Sequence, residues 1–316
     1  MRRRHALPYL AAAAFAAVAA CVGDDSTTKD GGSDATTDGG GGDVVQTADA
    51  TDAPTEAGPW TPAVLDGDGS LALWLAASPS ANVVISSGQV GVWKDLSKNH
   101  NDATNGSAGP TVHGSAINGL DALSFDTLGL SLDVADAPSL QFAADQVLIM
   151  AVERATAVPF YLFSKAREKN GGGGQYFYTG IEVRAEQGAT LDGGTGTVLT
   201  AELLDDPTDA GVTDGVTESW STGVFDDGKF HIVGLRRTKA TEVQLLVDDA
   251  SPQTATTTAA DVSSVGNDVR IGSIKYGTVT YTVHGEIAEI VVVHSTVVAD
   301  SVVADVHQYL KSKYAL

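Results

Sequence analysis

The pattern of apolar and polar residues changes at about Trp60. Beyond this residue, short runs rich in Val, Ile, Leu and aromatic residues alternate with clusters of Gly, Asp, Asn and Pro. Many short apolar runs between turn-forming residues are typical of an antiparallel sandwich or barrel, and the lack of strand–helix alternation argues against a parallel sheet. The predicted strands are Leu71–Leu75, Val147–Val152, Phe160–Phe163, Gln175–Tyr178, Ile181–Arg184, Phe230–Leu235, Val243–Val247, Val269–Ile271 and Ile287–Val293.

The pattern predicts one helix, at the C-terminal end of the chain. Apolar residues recur there at intervals of four, at Val302, Val306, Leu310 and Tyr314. This spacing places them in one stripe along a helix, and the stripe must pack against the sandwich. Asp300 is the predicted N-cap, because its short acidic side chain can accept a hydrogen bond from the first turn.

The first 20 residues have the parts of an export signal, a basic start followed by the apolar run Ala6–Ala20. The quartet Val18-Ala19-Ala20-Cys21 resembles the lipobox of bacterial lipoproteins. In that family the cysteine is lipidated and becomes the first residue of the mature protein. The alternatives are a transmembrane helix, for which the run is shorter than the required ~20 apolar residues, and a buried core cysteine. Val22 resembles an outer-membrane sorting signal, so we expect a lipoprotein of the bacterial cell envelope, at the outer membrane or cell surface.

Three regions follow from these features. Residues 1–20 are the predicted lipoprotein signal peptide, 21–59 a lipidated cysteine with a disordered acidic tether rich in Gly, Thr and Asp, and 60–316 the folded domain. The tether has too few apolar residues to offset its ordering entropy. Signal removal changes the net charge from −21 to −24, because it takes away three arginines and no acid. Such a surface repels nucleic acid and anionic lipid, so we expect the lipid anchor alone to hold the chain to its membrane.

The order of segments resembles the concanavalin A-like lectin/glucanase superfamily, in its laminin-G-like branch. The segments that carry the resemblance are Leu73-Trp74-Leu75, Val92–Ala103, Ile117–Asp126, Val243–Asp249 and Gly285–Ile290. The resemblance covers about 250 residues and implies an all-β, two-sheet antiparallel jelly-roll sandwich, with the predicted helix at its C-terminal end. Val243, Leu245 and Val247 are then expected to face the core.

The fold hosts lectins, hydrolases and adhesion modules, so it does not decide the function. Glucanases of this superfamily carry closely spaced acids on one strand, and retaining hydrolysis needs two carboxylates about 5–5.5 Å apart. The nearest match is Glu286-Ile287-Ala288-Glu289, whose acids are expected on opposite faces of a strand. We therefore predict no catalytic residues and a non-catalytic module that binds a carbohydrate or protein ligand. A divergent polysaccharide-degrading glycoside hydrolase is the alternative.

Sugar binding needs aromatic surfaces and planar polar partners. Trp220 lies in a polar loop, Tyr176 and Tyr178 share a strand face, and Arg184 follows on the next run. These four residues are the predicted ligand contacts. The alternative for Trp220 is burial in the core, because large aromatic side chains are highly buried on average.

The resemblance also raises the possibility of calcium, which this superfamily often binds through loop carboxylates and carbonyls. The candidate ligands are Asp95, Asn99, Asn101 and Asp102. The alternative is that these side chains cap the turn in which they sit. No other cofactor is predicted.

Overall fold

Antiparallel pairing organises the described part of the chain. The computed structural model describes residues 59–316 except 107, 128–129, 143–145, 158–159, 171–175, 190–194, 205–215, 220–226, 239–241, 258–261, 277–278 and 283. The described strands form an eight-stranded sheet, a nine-stranded sheet and a two-stranded ribbon, and one α-helix ends the chain. This confirms the predicted all-β, two-sheet antiparallel sandwich with a C-terminal helix.

The strands and the helix have the following bounds. The first ten strands are β1 Leu71–Ala76, β2 Val83–Ser86, β3 Gln89–Trp93, β4 Ala103–Thr104, β5 Thr111–Ile117, β6 Leu120–Ser124, β7 Leu132–Val134, β8 Gln146–Ala157, β9 Phe160–Asn170 and β10 Tyr176–Ala189. The others are β11 Thr195–Leu204, β12 Val216–Ser219, β13 His231–Thr238, β14 Glu242–Val247, β15 Gln253–Thr256, β16 Val269–Ile271, β17 Ser273–Tyr276, β18 Val279–Thr282 and β19 His284–Ser295. The helix is α1, Asp300–Tyr314.

The two large sheets bring distant parts of the chain together. The eight-stranded sheet has the order β15-β14-β13-β8-β19-β6-β5, with β1 also paired to β19. The nine-stranded sheet has the order β12-β11-β10-β9-β16-β7-β4-β3-β2. Short 3-10 helices at Pro62–Asp66, Ser80–Asn82 and Pro138–Leu140 connect some of the strands.

The central strand β8 is buried on both faces, which explains its unbroken apolar run. Val147, Ile149 and Ala151 belong to the core between the two sheets. Leu148 and Met150 belong instead to a second apolar layer, which lies under the helix α1. A strand that packs on both sides loses the usual apolar–polar alternation, because both sets of side chains are withdrawn from water.

Helix α1 covers the outer face of the eight-stranded sheet with the predicted stripe. Val306, Leu310 and Tyr314 are completely buried in the layer under the helix. The predicted N-cap is off by one residue, since Ala299 is the N-cap and makes no side-chain capping bond. The Asp300 carboxylate accepts a hydrogen bond from Arg236 of β13 instead. Tertiary contact therefore replaces the local cap.

The predicted runs Gln175–Tyr178 and Ile181–Arg184 fall in one strand, β10, which the structure describes from Tyr176 onwards. Gly180 has a φ of 133°, and a Cβ atom there would lie 1.8 Å from the carbonyl oxygen of Lys165 on β9. Only glycine allows the two backbones to come this close. Gly180, between the two predicted runs, is thus a point of close contact between β9 and β10 and does not form a turn.

One carboxylate fixes the helix to the sheet. Glu289 of β19 is completely buried. Its Oε1 accepts hydrogen bonds from the indole of Trp74 at 2.6 Å and the hydroxyl of Tyr309 at 2.9 Å. Its Oε2 accepts from Lys313 and, at 2.7 Å, from the hydroxyl of Tyr314. Burial, followed by the charge of Glu289, raises the pKa of both tyrosines well above the usual value, so both remain donors.

We expect Glu289→Ala to lower the free energy of unfolding by about 3–5 kcal/mol, because it leaves a partly buried ammonium and three other donors without this acceptor. Glu242→Ala is the control, since this glutamate lies on the same sheet but is only half-buried, and it should cost about 1 kcal/mol or less. Urea titrations of both variants measure the difference. Similar small losses in the two variants would contradict the role given to Glu289.

Candidate functional site

A row of polar side chains crosses the outer face of the nine-stranded sheet. Successive members are register partners on neighbouring strands, from β11 through β10, β9, β16 and β7 to β4. They are Glu202, Glu182, Ser164, Arg270, Asp133 and Thr104. We call this set the polar row. Each member has at least one neighbour along its strand in the inter-sheet core, which places the row on the outer face.

The exposure of the polar row changes along its length. Glu182 and Ser164 are buried, whereas Arg270 and Asp133 are partly exposed and Thr104 is exposed. Arg270 pairs with Asp133 across 3.6 Å. Five strand spacings of about 4.8 Å give the row a length of roughly 24 Å. The row therefore forms an extended polar strip that reaches water at one end.

Arg184 connects the two acids at the buried end of the row. Glu182 and Glu202 lie directly opposite each other on β10 and β11, where like charges destabilise a sheet. The Arg184 guanidinium offsets this repulsion, donating to Glu182 Oε2 at 3.2 Å and to Glu202 Oε1. Its Cζ lies 6.0 Å from the ring centroid of Tyr161, and its side chain is only 10% exposed. The result is a largely buried cluster of planar charged groups beside an aromatic ring.

Arg184 is one of the predicted ligand contacts, whereas its acidic partners Glu182 and Glu202 are not among them. Glu182 alternates with Ile181 and Val183 in a predicted strand, so its outward position could have been inferred. The partner strand β11 was not predicted, although Leu199, Ala201 and Leu203 alternate with polar residues there and face the core. This alternation indicates a strand with Glu202 on its outer face. Together with Glu182 it gives two acids on one face of the sheet, the arrangement that a glycoside hydrolase requires.

The remaining predicted contact residues are not brought into this site by the described structure. Tyr176 and Tyr178 are in β10, paired with Asn170 and Glu168 of β9, but their side chains are outside the described part. Trp220 and Cys21 are also outside the described residues. Their predicted roles stay predictions.

The candidate calcium ligands cap the turn between β3 and β4. Asp95 Oδ1 accepts hydrogen bonds from the backbone N–H groups of Trp74, at 2.9 Å, and Ser97. Asp95 Oδ2 accepts hydrogen bonds from Ser97 Oγ and from the backbone N–H of Asn101. Asp102 Oδ1 accepts from the N–H of Asp95. These contacts are those of the turn-capping alternative.

The two asparagines of this turn use their amides as donors. Asn99 Nδ2 donates to the carbonyl oxygens of Leu71 and Ala72, and Asn101 Nδ2 donates to Ala72 and to Ser139 Oγ. Among the described residues, no three or more His, Cys, Asp or Glu side chains form a group that could hold a metal ion. Calcium binding at this turn stays a prediction.

The acids of the Glu286–Glu289 segment have separate structural partners. A register shift between Ile287 and Glu289 resets the alternation of β19, so both acids face the helix side and the expectation of opposite faces is wrong. Glu286 binds Arg154 at 2.6 Å and His113, while Glu289 binds the helix. Each carboxylate is therefore committed to its own ion pair.

A second charged cluster lies beside a pocket of about 300 Å³ at the start of β13. His231 Nδ1 lies 2.8 Å from Asp248 Oδ2, and its Nε2 lies 3.0 Å from Asp227 Oδ1. The hydrogen bond to Asp248, and secondarily that to Asp227, raises the pKa of His231 above its usual value, although burial acts in the opposite direction. The cluster joins the turn after β14 to the start of β13.

A buried acid lies next to His231 across the sheet. Glu153 of β8 is the register partner of His231, and both of its carboxylate oxygens lack a hydrogen-bond partner among the described residues. Burial, followed by the charge of Asp248, raises the pKa of Glu153 well above its usual value. Burial thus disfavours the charged form of this carboxyl, which does not line the pocket beside His231.

No family model matches this chain, and no curated protein matches its sequence. Among solved structures, the binding domain of Paraclostridial Mosquitocidal Protein 1 is similar, with 9% identity, a TM-score of 0.50, and coverage of 77% of this chain and 52% of that one. Domain 4 of a GH43 extracellular arabinanase from Geobacillus stearothermophilus, in complex with arabinotriose, has 14% identity, a TM-score of 0.47 and coverage of 76% and 98%. Trypanosoma rangeli sialidase in complex with sialic acid has 15% identity, a TM-score of 0.49 and coverage of 77% and 33%.

The chain spans about half the length of the mosquitocidal binding domain and a third of the sialidase chain. At this identity, the likeness to the mosquitocidal binding domain shows a shared β-sandwich fold. In the described part of the chain, no helix combines the length and apolar character that crossing a membrane requires.

The raised pKa of His231 predicts a pH dependence of stability. The stabilisation that protonated His231 gives to the folded state is fully present below the pKa of histidine in the unfolded chain, about 6.5. It is lost as the pH rises through the higher pKa that His231 has in the folded state. We expect Asp248→Asn to lower the pKa of His231 and to weaken this loss between about pH 6 and 8. NMR titration of the imidazole and urea unfolding at each pH measure the two effects.

Asp249→Asn is the matched control, because Asp249 pairs with Lys311 of the helix and makes no hydrogen bond to His231. The His231 titration should be the same in this variant as in the parent chain. An equal shift in both variants would contradict a specific role for Asp248.

Proposed function

We propose that the folded domain is a non-catalytic carbohydrate-binding module of an exported, lipid-anchored surface protein. The polar row is the single observation that carries the binding role. Charged planar groups, a buried hydroxyl and an adjacent tyrosine line one strip of a rigid sheet, and fixed polar groups on regular elements suit specific recognition. The part of the row that reaches water, from Arg270 through Asp133 to Thr104, spans two strand spacings, roughly 10 Å, which suits a short segment of a glycan.

The charges of the site favour a neutral glycan. Arg184 and Arg270 oppose Glu182, Glu202 and Asp133, so the cluster has a small negative excess within a chain whose net charge is −21. An acidic ligand would meet repulsion from both the site and the surrounding surface. Neutral hydroxyl groups can pair with carboxylates and guanidinium groups without this penalty.

A glycoside hydrolase is the second candidate, because Glu182 and Glu202 lie on one face, directly opposite each other. A retaining mechanism needs one of the two carboxyls protonated, to serve as the acid. Arg184 donates to both carboxylates, so each is held as an acceptor in an ion pair. This arrangement supports binding over acid–base chemistry.

The finer family assignment is part of the same proposal. The order of segments supports a concanavalin A-like, laminin-G-like domain, and lectins and adhesion modules of that superfamily bind glycans or proteins. A protein ligand is therefore the alternative to a glycan. A calcium ion bound by Asp95, Asn99, Asn101 and Asp102 would support this binding role and would not itself be the ligand-recognition site.

Glycan binding is tested with an immobilised panel of neutral polysaccharides, neutral oligosaccharides and sialylated oligosaccharides. We expect the full chain to bind neutral members and Arg270→Ala to weaken binding at least about tenfold, which corresponds to ~1.4 kcal/mol. Lys229→Ala, at an exposed position in the turn that precedes β13, is the control. Binding by no member of the panel, or equal binding by both variants, would overturn the proposal.

The same glycans distinguish binding from hydrolysis. We expect no new reducing ends after prolonged incubation of the chain with each bound polysaccharide. Release of reducing ends that disappears in both Glu182→Gln and Glu202→Gln would instead establish the hydrolase.

The anchor is tested at Cys21. If this residue carries lipid, Cys21→Ser should move the protein from the membrane fraction to the soluble fraction and leave the melting temperature of the folded domain unchanged. A high-salt wash is the control for charge-based attachment. A variant that stays in the membrane fraction after this wash would contradict lipid anchoring.

A further inference from the structure

A pocket of about 390 Å³ lies on the side of the sandwich opposite to the polar row, between Trp60 and helix α1. The side chains of Trp60 and Tyr309 form its aromatic part. Its polar part comes from Asp305, Gln308 and Ser312 of the helix. None of these residues belongs to the polar row.

The aromatic part is fixed in place. Trp60 and Tyr309 meet edge to face, with ring centroids 6.1 Å apart and an interplanar angle of 64°. On its other side Tyr309 meets Trp74 in a similar arrangement, at 6.2 Å and 81°. The Tyr309 hydroxyl is held by the buried carboxylate of Glu289 at 2.9 Å. Rings constrained in this way lose little conformational freedom when a ligand binds.

The polar part is a second face of the helix, distinct from the stripe that packs on the sheet. Asp305, Gln308 and Ser312 follow at intervals of three and four, so they share one side of α1 with Tyr309. All three are exposed, and Gln308 Nε2 donates to Ser312 Oγ at 2.8 Å. A carboxylate, an amide and a hydroxyl therefore border an indole ring.

Charge limits what the pocket can hold. Among the described residues that line it, the one cation is Lys313, which is paired with Glu289 and lies 5.4 Å from the ring centroid of Tyr309. Asp305 is exposed, and no ion pair is found for it among the described residues. An anionic ligand would be repelled, whereas a neutral polyol could donate hydroxyl protons to Asp305 and Gln308.

We propose that this pocket binds a neutral sugar residue, with an apolar face of the sugar ring against Trp60 and hydroxyl groups on Asp305, Gln308 and Ser312. The proposal is independent of the polar row, since the two sites lie on different sheets. A chain with both sites would hold a polysaccharide at two points, and two linked contacts bind more tightly than either alone.

The test titrates the full chain with free glucose, galactose, mannose and arabinose, and follows tryptophan fluorescence together with NMR shifts of the helix amides. A single sugar in a shallow pocket should bind with a Kd of about 1 mM. Trp60→Ala should weaken binding at least about tenfold, and Trp60→Phe, which keeps an aromatic ring, should weaken it less. Gln308→Ala should also weaken binding, whereas Ser301→Ala, on the same helix outside the pocket, should have no effect.

The design separates this site from the polar row. Arg270→Ala should leave the binding of free sugar unchanged, and glucuronate should bind more weakly than glucose because of its charge. Near-UV circular dichroism confirms that each variant is folded. The proposal is overturned by a lack of saturation with every neutral sugar up to about 50 mM, by equal affinity of Trp60→Ala and the parent chain, or by loss of binding in Arg270→Ala. Preference for glucuronate would overturn the proposed ligand class.

Discussion

The buried carboxylate of Glu289 is the contact on which the arrangement of the eight-stranded sheet depends. A carboxylate in an apolar layer is costly unless its oxygens are hydrogen-bonded. Here donors from β1 and α1 converge on it, including an ammonium and two tyrosine hydroxyls. Because these donors come from both the sheet and the helix, they tie the helix to the sheet in the observed orientation. The apolar stripe supplies the burial energy, and Glu289 supplies the specificity.

This docking makes the outer faces of the two large sheets chemically different. The part of the outer face of the eight-stranded sheet that α1 covers is largely apolar, as Leu148, Met150 and Val291 show. The outer face of the nine-stranded sheet has the polar row instead. A sheet with both faces buried contributes stability, and a sheet with one polar face can recognise a ligand. The proposed oligosaccharide site therefore lies on the sheet that the helix does not cover.

The same carboxylate connects the fold to the pocket beside Trp60. Glu289 orients the Tyr309 ring, and Tyr309 in turn positions Trp60 through an edge-to-face contact. The aromatic wall of the pocket is thus a consequence of how the helix is held. The His231 cluster has a comparable structural role beside the same C-terminal half of the helix. It fixes the turn after β14, whose Asp249 pairs with Lys311 of α1.

Hydrophobic patterning determined the class of the fold, the positions of most strands and the buried face of the helix. These are local properties, because alternation along a strand and a period of 3.6 along a helix decide which side chains face the core. Which residues become partners across strands is not a local property. Glu182 faces Glu202 because of the register of β10 and β11, and Trp74 reaches Glu289 from 215 residues away. The bulge that turned Glu286 and Glu289 to one face came from pairing with β8. The sequence alone therefore determined which apolar residues are buried. Only the tertiary structure decided which charged groups are buried and which of them meet, because register and docking depend on the whole sandwich.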